Sequence, residues 1–181
     1  NVSLTKSQTI AVTDNTPPVI SALPGPSSIE CPATPVFTTP TATDACDPSP
    51  ALVFADVTTP GVCPQEYSVT RTWTATDDCD NVSLTKSQTI AVTDNTPPTC
   101  PSLSDASFFL CDPSRICRPF PVVDLCDPTP TCTANRGTVS GGEWCYDATV
   151  DESFDVTIEC RDDCGNLCGT SFRVTIDINE P

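Results

Sequence analysis

The chain has 181 residues, with 8 Lys plus Arg against 24 Asp plus Glu, and its net charge of −16 excludes nucleic acid and anionic membrane surfaces as partners. Thirteen cysteines without a single histidine exclude mixed Cys/His zinc sites and point to disulfides, hence to an oxidising extracellular or cell-surface location. Twenty prolines and the lack of any apolar run of membrane-spanning length exclude a helical or membrane-inserted chain, and the lack of Met or a signal peptide fits an internal stretch of a mature protein.

Residues 1–18, NVSLTKSQTIAVTDNTPP, return letter for letter as residues 81–98, at an offset of 80 residues. A fixed period of this size marks a tandem array. On this reading, residues 1–14 are the last strand of a preceding module, residues 15–97 a complete module, and residues 98–181 a diverged, Cys-rich second one. Strands are predicted at 19–22, 36–43, 51–57, 67–76 and 84–93, separated by Pro, Gly and Asp clusters. In the fourth, Tyr67, Val69, Arg71, Trp73 and Ala75 share one face and Ser68, Thr70, Thr72 and Thr74 the other, with Trp73 read as core. In the second module Phe154, Val156, Ile158 and Cys160 alternate in the same way with Ser153, Asp155, Thr157 and Glu159. The expected fold is all-β: tandem immunoglobulin-like β-sandwich modules, disulfide-stapled because so small a domain buries little core.

In such a sandwich the strands that end at Cys46 and Cys79 run in the same direction and finish at one end, while Cys31 and Cys63 precede them at the other. The expected pairs are therefore Cys31–Cys63 and Cys46–Cys79, with Cys111–Cys145 and Cys126–Cys164 as their counterparts. Cys100 is expected to bond Cys117, and Cys160 to bond Cys132 or Cys168. The odd total leaves one cysteine free, modified or bonded to another chain.

The same topology gathers acid at the end where the chain enters each module. Asp44, Asp47, Asp77, Asp78 and Asp80 are expected to meet Asp14 and Asn15 of the incoming linker; Asp124, Asp127, Asp162 and Asp163 are expected to meet Asp94 and Asn95. Hard oxygen ligands at this density suit Ca²⁺, which would stiffen the joint between modules. The competing reading is turn chemistry, with Asp before Pro in solvated loops. Asn1 and Asn81 head glycosylation sequons. No arrangement of residues suggests catalysis: His is absent and adjacent pairs such as Asp162 and Asp163 point apart in a strand or turn.

The motifs IECP (29–32), TATDACD (41–47), CPQEYSVTRTWTATDDCDN (63–81) and the TDNTPP of 13–18 and 93–98 resemble those of hyalin-repeat (HYR) modules in large bacterial surface proteins, notably gliding-motility-type adhesins of the Bacteroidetes. The second module keeps DLCDP (124–128) and DDCGN (162–166) but lacks RTWTATD, and the first places Asp80 where Gly is common. The resemblance implies an immunoglobulin-like sandwich at the cell surface, a role in adhesion or in building a stalk, and no catalysis by the module.

The sequence is thus read as a non-catalytic structural and adhesive segment of a long extracellular fibre, its partners being neighbouring repeats of the same chain or filament. The alternatives are a calcium-dependent module that binds glycan or protein, an appendage of a secreted hydrolase, and a subunit whose first strand completes a sheet in another copy.

Overall fold

A computed structural model describes residues 3–178, which contain thirteen strands and no helix. The chain divides into two compact units, one drawn from Asn1–Ser27, Val36–Thr58 and Val69–Ile90, the other from Ser28–Pro35, Thr59–Ser68 and Ala91–Pro181. These units do not coincide with the division at 15–97 and 98–181. The segments that carry Cys31 and Cys63 belong with the second unit.

The first unit contains β1 (Val19–Ile20), paired antiparallel with β3 (Ala42–Thr43), and most of a sheet in which β2 (Ser27–Glu30), β6 (Lys86–Thr93), β5 (Tyr67–Thr76) and β4 (Ala51–Pro60) are neighbours in that order. Its core is Ile20, Trp73 and Ala75, covered by Leu23, Phe37, Ala42 and Leu52. Trp73 meets Phe37 edge to face, and the guanidinium of Arg71 lies 4.6 Å from the Phe37 ring and 3.9 Å from that of Phe54. Asp56 holds that guanidinium through two 2.7 Å bonds. The alternation along β5 thus gives a buried Trp73 and Ala75 and an anchored Arg71 on one face.

Two differences from expectation have physical causes. Residues 36–41 form no strand, since Pro35 and Pro40 remove backbone donors where a ladder would need them. Residues 6–13 are exposed and unpaired although their sequence is that of β6, Lys86–Thr93. Pairing with β2 and β5, rather than propensity, therefore makes the strand.

The second unit is a two-sheet sandwich. One sheet runs β7 (Ala106–Leu110), β13 (Leu167–Ile178), β12 (Glu152–Arg161), β9 (Thr131–Ala134), with β7 parallel to β13 and the other pairs antiparallel. The other runs β10 (Thr138–Ser140), β11 (Glu143–Ala148), β8 (Ser114–Pro119), all antiparallel. Val156, Ile158, Cys160, Phe172, Val174 and Ile176 of the first sheet pack with Ile116, Trp144 and Ala148 of the second, and with Phe120. Trp144 is fully buried, meets Phe172 edge to face at 5.2 Å, and donates its indole N–H to the carbonyl of Arg136 at 2.7 Å. That approach requires Gly137, at φ 78°, where a Cβ would stand 2.4 Å from the Cys145 carbonyl oxygen. The expected alternation along β12 matches its burial residue by residue.

Five disulfides are present among the described residues. Three lie where the sandwich places strands side by side: Cys117–Cys145 joins β8 to β11, Cys132–Cys160 joins β9 to β12, and Cys100–Cys168 ties the incoming segment to β13. Cys160 therefore takes Cys132, one of its two expected partners. Cys100 does not take Cys117, because Cys117 stands directly opposite Cys145 in the ladder; for the same reason Cys145 is closed to Cys111. The other two, Cys31–Cys126 and Cys63–Cys164, replace the expected Cys31–Cys63 and Cys126–Cys164. Cys46 and Cys79, expected as a pair, are unbonded and exposed, as is Cys111.

Candidate functional site: the acidic joint at Asp14 and Asp94

Asp14 and Asp94 each sit among two acidic loops, and the two sites share most of their bonds. In the first unit, Asp44 accepts the backbone N–H groups of Cys46 (2.8 Å) and Asp47 (3.1 Å); in the second, Asp124 accepts those of Cys126 and Asp127 (both 2.7 Å). Asp47 accepts from Ser49 N–H and, through its other oxygen, from Asp78 N–H at 3.1 Å. Asp127 accepts likewise from Thr129 and from Asp163 at 3.0 Å. Asp77 takes the side-chain amide of Asn81 on one oxygen and the N–H groups of Cys79 and Asn81 on the other. Asp162 takes the side-chain amide and N–H of Asn166. The same two amides reach the linker: Asn81 donates to the Asp14 carbonyl at 3.3 Å and Asn166 to the Asp94 carbonyl at 3.1 Å.

These bonds divide the candidate calcium ligands. Asp47, Asp77, Asp127 and Asp162 are buried with both carboxylate oxygens engaged by donors, so their role is loop closure, the turn chemistry that aspartate supplies through its own backbone. Burial acts against the Asp77 charge, but the Asn81 amide and the N–H donors outweigh it and hold the carboxyl below its ordinary range. Asp78, Asp80 and Asp163 are exposed. Asp80 occupies a left-handed turn position, φ 64°, that Gly165 fills at φ 96° in the second unit. Asn15 is exposed, and the Asn95 side-chain amide donates to Glu30 and Thr93.

Asp14, Asp44, Asp94 and Asp124 differ from the rest. Ligand atoms of Asp14, Asp44 and Cys46 lie within 4.8 Å of one another, as do those of Glu30 and Asp94 with the Cys31 and Cys126 sulfurs. Asp94 is 3% exposed, and its Oδ2 has no hydrogen-bond partner; the buried Oδ2 of Asp124 has none either. Burial, reinforced by Asp162, Asp124 and Glu30, pushes the Asp94 carboxyl up. Two orphaned carboxylate oxygens suit a cation that keeps part of its water shell, since Ca²⁺ needs six to eight oxygens in all.

Glu30 is a site residue that sequence reasoning missed. Its carboxylate accepts Asn95 N–H (2.6 Å), the Thr96 hydroxyl (2.9 Å) and the Asn95 side-chain amide (3.1 Å), while Cys31 N–H bonds the Thr93 carbonyl at 3.0 Å. The Asn95 N–H and side-chain amide chiefly lower its pKa. The motif IECP contains this clamp, but nothing in its spacing announces that Glu30 meets a linker 65 residues away. Asn81, read as a glycosylation site, is half-buried, and its amide nitrogen donates to Asp77 and to the Asp14 carbonyl. Asn1 lies outside the described residues.

No protein-family model matches the chain, and no curated protein matches it in sequence. Solved structures do. Titin domains Z1Z2, crystallised in complex with telethonin, match with a TM-score of 0.54 at 12% identity over 92% of this chain and 100% of that one. The chain has an immunoglobulin-like fold. The N-terminal Ig1-2 module of the Drosophila receptor protein tyrosine phosphatase DLAR matches at TM-score 0.34 and 10% identity, over 90% of this chain and 100% of that one. Drosophila N-cadherin EC1-4 matches at 0.42 and 13%, over 90% of this chain and 50% of that one.

Proposed function

We propose that the chain is a non-catalytic structural and adhesive segment of an extracellular surface fibre, built from tandem immunoglobulin-like repeats of HYR-like type in a bacterial adhesin. The observation that carries this reading is the joint made twice from the same bonds, with Asn81 on the Asp14 carbonyl and Asn166 on the Asp94 carbonyl. A joint that recurs with its hydrogen bonds intact suits a part whose task is reach, since one unit copied many times then reproduces the same geometry. Ten cysteines in disulfides support an oxidising, extracytoplasmic location. Gliding motility, and glycan or protein ligands of the exposed acidic loops, belong to the finer form of the same proposal. Immunogold labelling of intact, unpermeabilised source cells with an antibody to this chain is the test: label along surface fibres is expected, and label only after permeabilisation would overturn the reading.

A calcium-stiffened joint is the second reading, favoured by the orphaned Oδ2 atoms of Asp94 and Asp124. Millimolar Ca²⁺ is expected to raise the melting temperature of the chain, and the rise is expected to vanish in Asp94→Asn. A melting temperature indifferent to chelator would remove calcium from the account.

A further inference from the structure

The second unit is completed by two segments from upstream in the sequence. One is Ser28–Pro35, which brings Glu30 onto the TDNT linker at 93–96 and Cys31 onto Cys126; the other is Thr59–Ser68, which brings Cys63 onto Cys164. Cys126 and Cys164 are held in loops whose hydrogen bonds match those around Cys46 and Cys79 in the first unit, except that Cys79 N–H also donates to Asp77. There both thiols are exposed and unbonded, and the linker at 13–16, identical in sequence to 93–96, meets no counterpart of Glu30 among the described residues. The first unit therefore presents the same set unbonded among the described residues: two cysteines, and the backbone N–H of an asparagine that in the second unit donates to a carboxylate.

We propose that Cys46 and Cys79 are bonded by a Cys31-type and a Cys63-type cysteine from a preceding repeat, so that successive repeats are joined covalently by paired disulfides. The occupant is identified by chemistry. It must supply an Ile-Glu-Cys-Pro segment whose Glu takes Asn15 N–H while its Cys takes Cys46, together with a Val-Cys-Pro loop whose Cys takes Cys79. A repeat ending in the strand spelled by residues 1–13 would carry both, since the same strand spelled at 81–93 closes the repeat that contains Cys31 and Cys63.

Each bond removes two electrons and two protons from a pair of thiols. The oxidant is a disulfide-bearing thiol oxidoreductase or a small-molecule disulfide: one thiolate attacks its disulfide to form a mixed disulfide, the second thiolate displaces it, and the donor leaves as a dithiol in the first case and as two thiols in the second. Asp14, with burial and Asp44, pushes the Cys46 thiol up; burial, with Asp14 and Asp77, does the same to Cys79.

This inference rests on the tandem reading proposed above, but its test does not depend on where the protein is found. A chain with one further copy of residues 1–80 placed before Asn1 is produced under oxidising conditions, blocked with N-ethylmaleimide without reduction, digested and read by mass spectrometry. The expected result is that Cys46 and Cys79 of the original repeat are protected and linked to the added copies of Cys31 and Cys63, in that order, while the label falls on the added copies of Cys46 and Cys79 and on Cys111. Intact Cys117–Cys145 and Cys132–Cys160 peptides verify folding in the same digest. A Cys46–Cys79 peptide, or continued labelling of both thiols beside a bond between the added copies of Cys31 and Cys63, would overturn the proposal.

Discussion

The side-chain amide of Asn166 bridges the Asp162 carboxylate at 2.9 Å and the Asp94 carbonyl at 3.1 Å, so one residue fastens an acidic loop to the linker that enters it. Asn81 repeats the arrangement with Asp77 at 2.8 Å and Asp14 at 3.3 Å. Replacing Asn166 by Ala leaves a buried Asp162 oxygen and a linker carbonyl without their donor. A loss of about 1–3 kcal/mol in unfolding free energy is expected from urea denaturation, the range for a hydrogen bond to a charged, buried acceptor. Asn166→Asp is expected to be no better, since it sets a second carboxylate against Asp162.

Asp80 and Gly165 occupy the same left-handed turn position. Aspartate tolerates that region better than most residues but still at some cost, which glycine lacks. Asp80→Gly is expected to stabilise the chain by up to about 1 kcal/mol, and Gly165→Ala to destabilise it by about 1–2 kcal/mol. Space is not the limiting factor at Gly165, since a Cβ there would meet only Arg161 at 3.7 Å. Thermal melts of the two variants check both signs.

The Asp56–Arg71 pair makes stability depend on acid. Hydrogen bonds from Arg71 hold the Asp56 carboxyl below its ordinary range, against a smaller opposing effect of burial. A carboxyl whose folded pKa is lowered contributes stability above its unfolded pKa, and the contribution fades as pH falls through the folded value. The gap in stability between the natural chain and Asp56→Asn is therefore expected to be constant above about pH 5 and to close on further acidification. A gap that widened toward low pH would contradict the assignment.

Trp144 separates packing from hydrogen bonding in the second unit. Trp144→Ala is expected to cost about 3–5 kcal/mol, as for other large aromatic truncations in a core. In Trp144→Phe the ring is kept but the Arg136 carbonyl loses its 2.7 Å donor, for which about 1–2 kcal/mol is expected. Both are measured by chemical denaturation.

What the residues announced and what they concealed follow one physical division. The alternation in β12, the burial of Trp73 and the approach of Asp44 to Asp14 depend on local period and strand direction, which sequence carries directly. β2 was missed because Ser-Ser-Ile-Glu is too short and polar to alternate. Residues 6–13 and 86–93 share one sequence, and only the copy with neighbours on both sides is a strand. The disulfides escaped for a related reason. Cys31 and Cys63 do lie in segments that act together, but both are completed by Cys126 and Cys164 from about one repeat further on, at separations of 95 and 101 residues. Reasoning confined to one module pairs cysteines within it.

Disulfide mapping of the 181-residue chain tests the account most directly. After alkylation and non-reducing digestion, peptides joining Cys31 to Cys126 and Cys63 to Cys164 are predicted, with Cys46, Cys79 and Cys111 carrying the alkyl label. Peptides joining Cys31 to Cys63 and Cys126 to Cys164 would contradict it, and would return each staple to the interior of its own repeat.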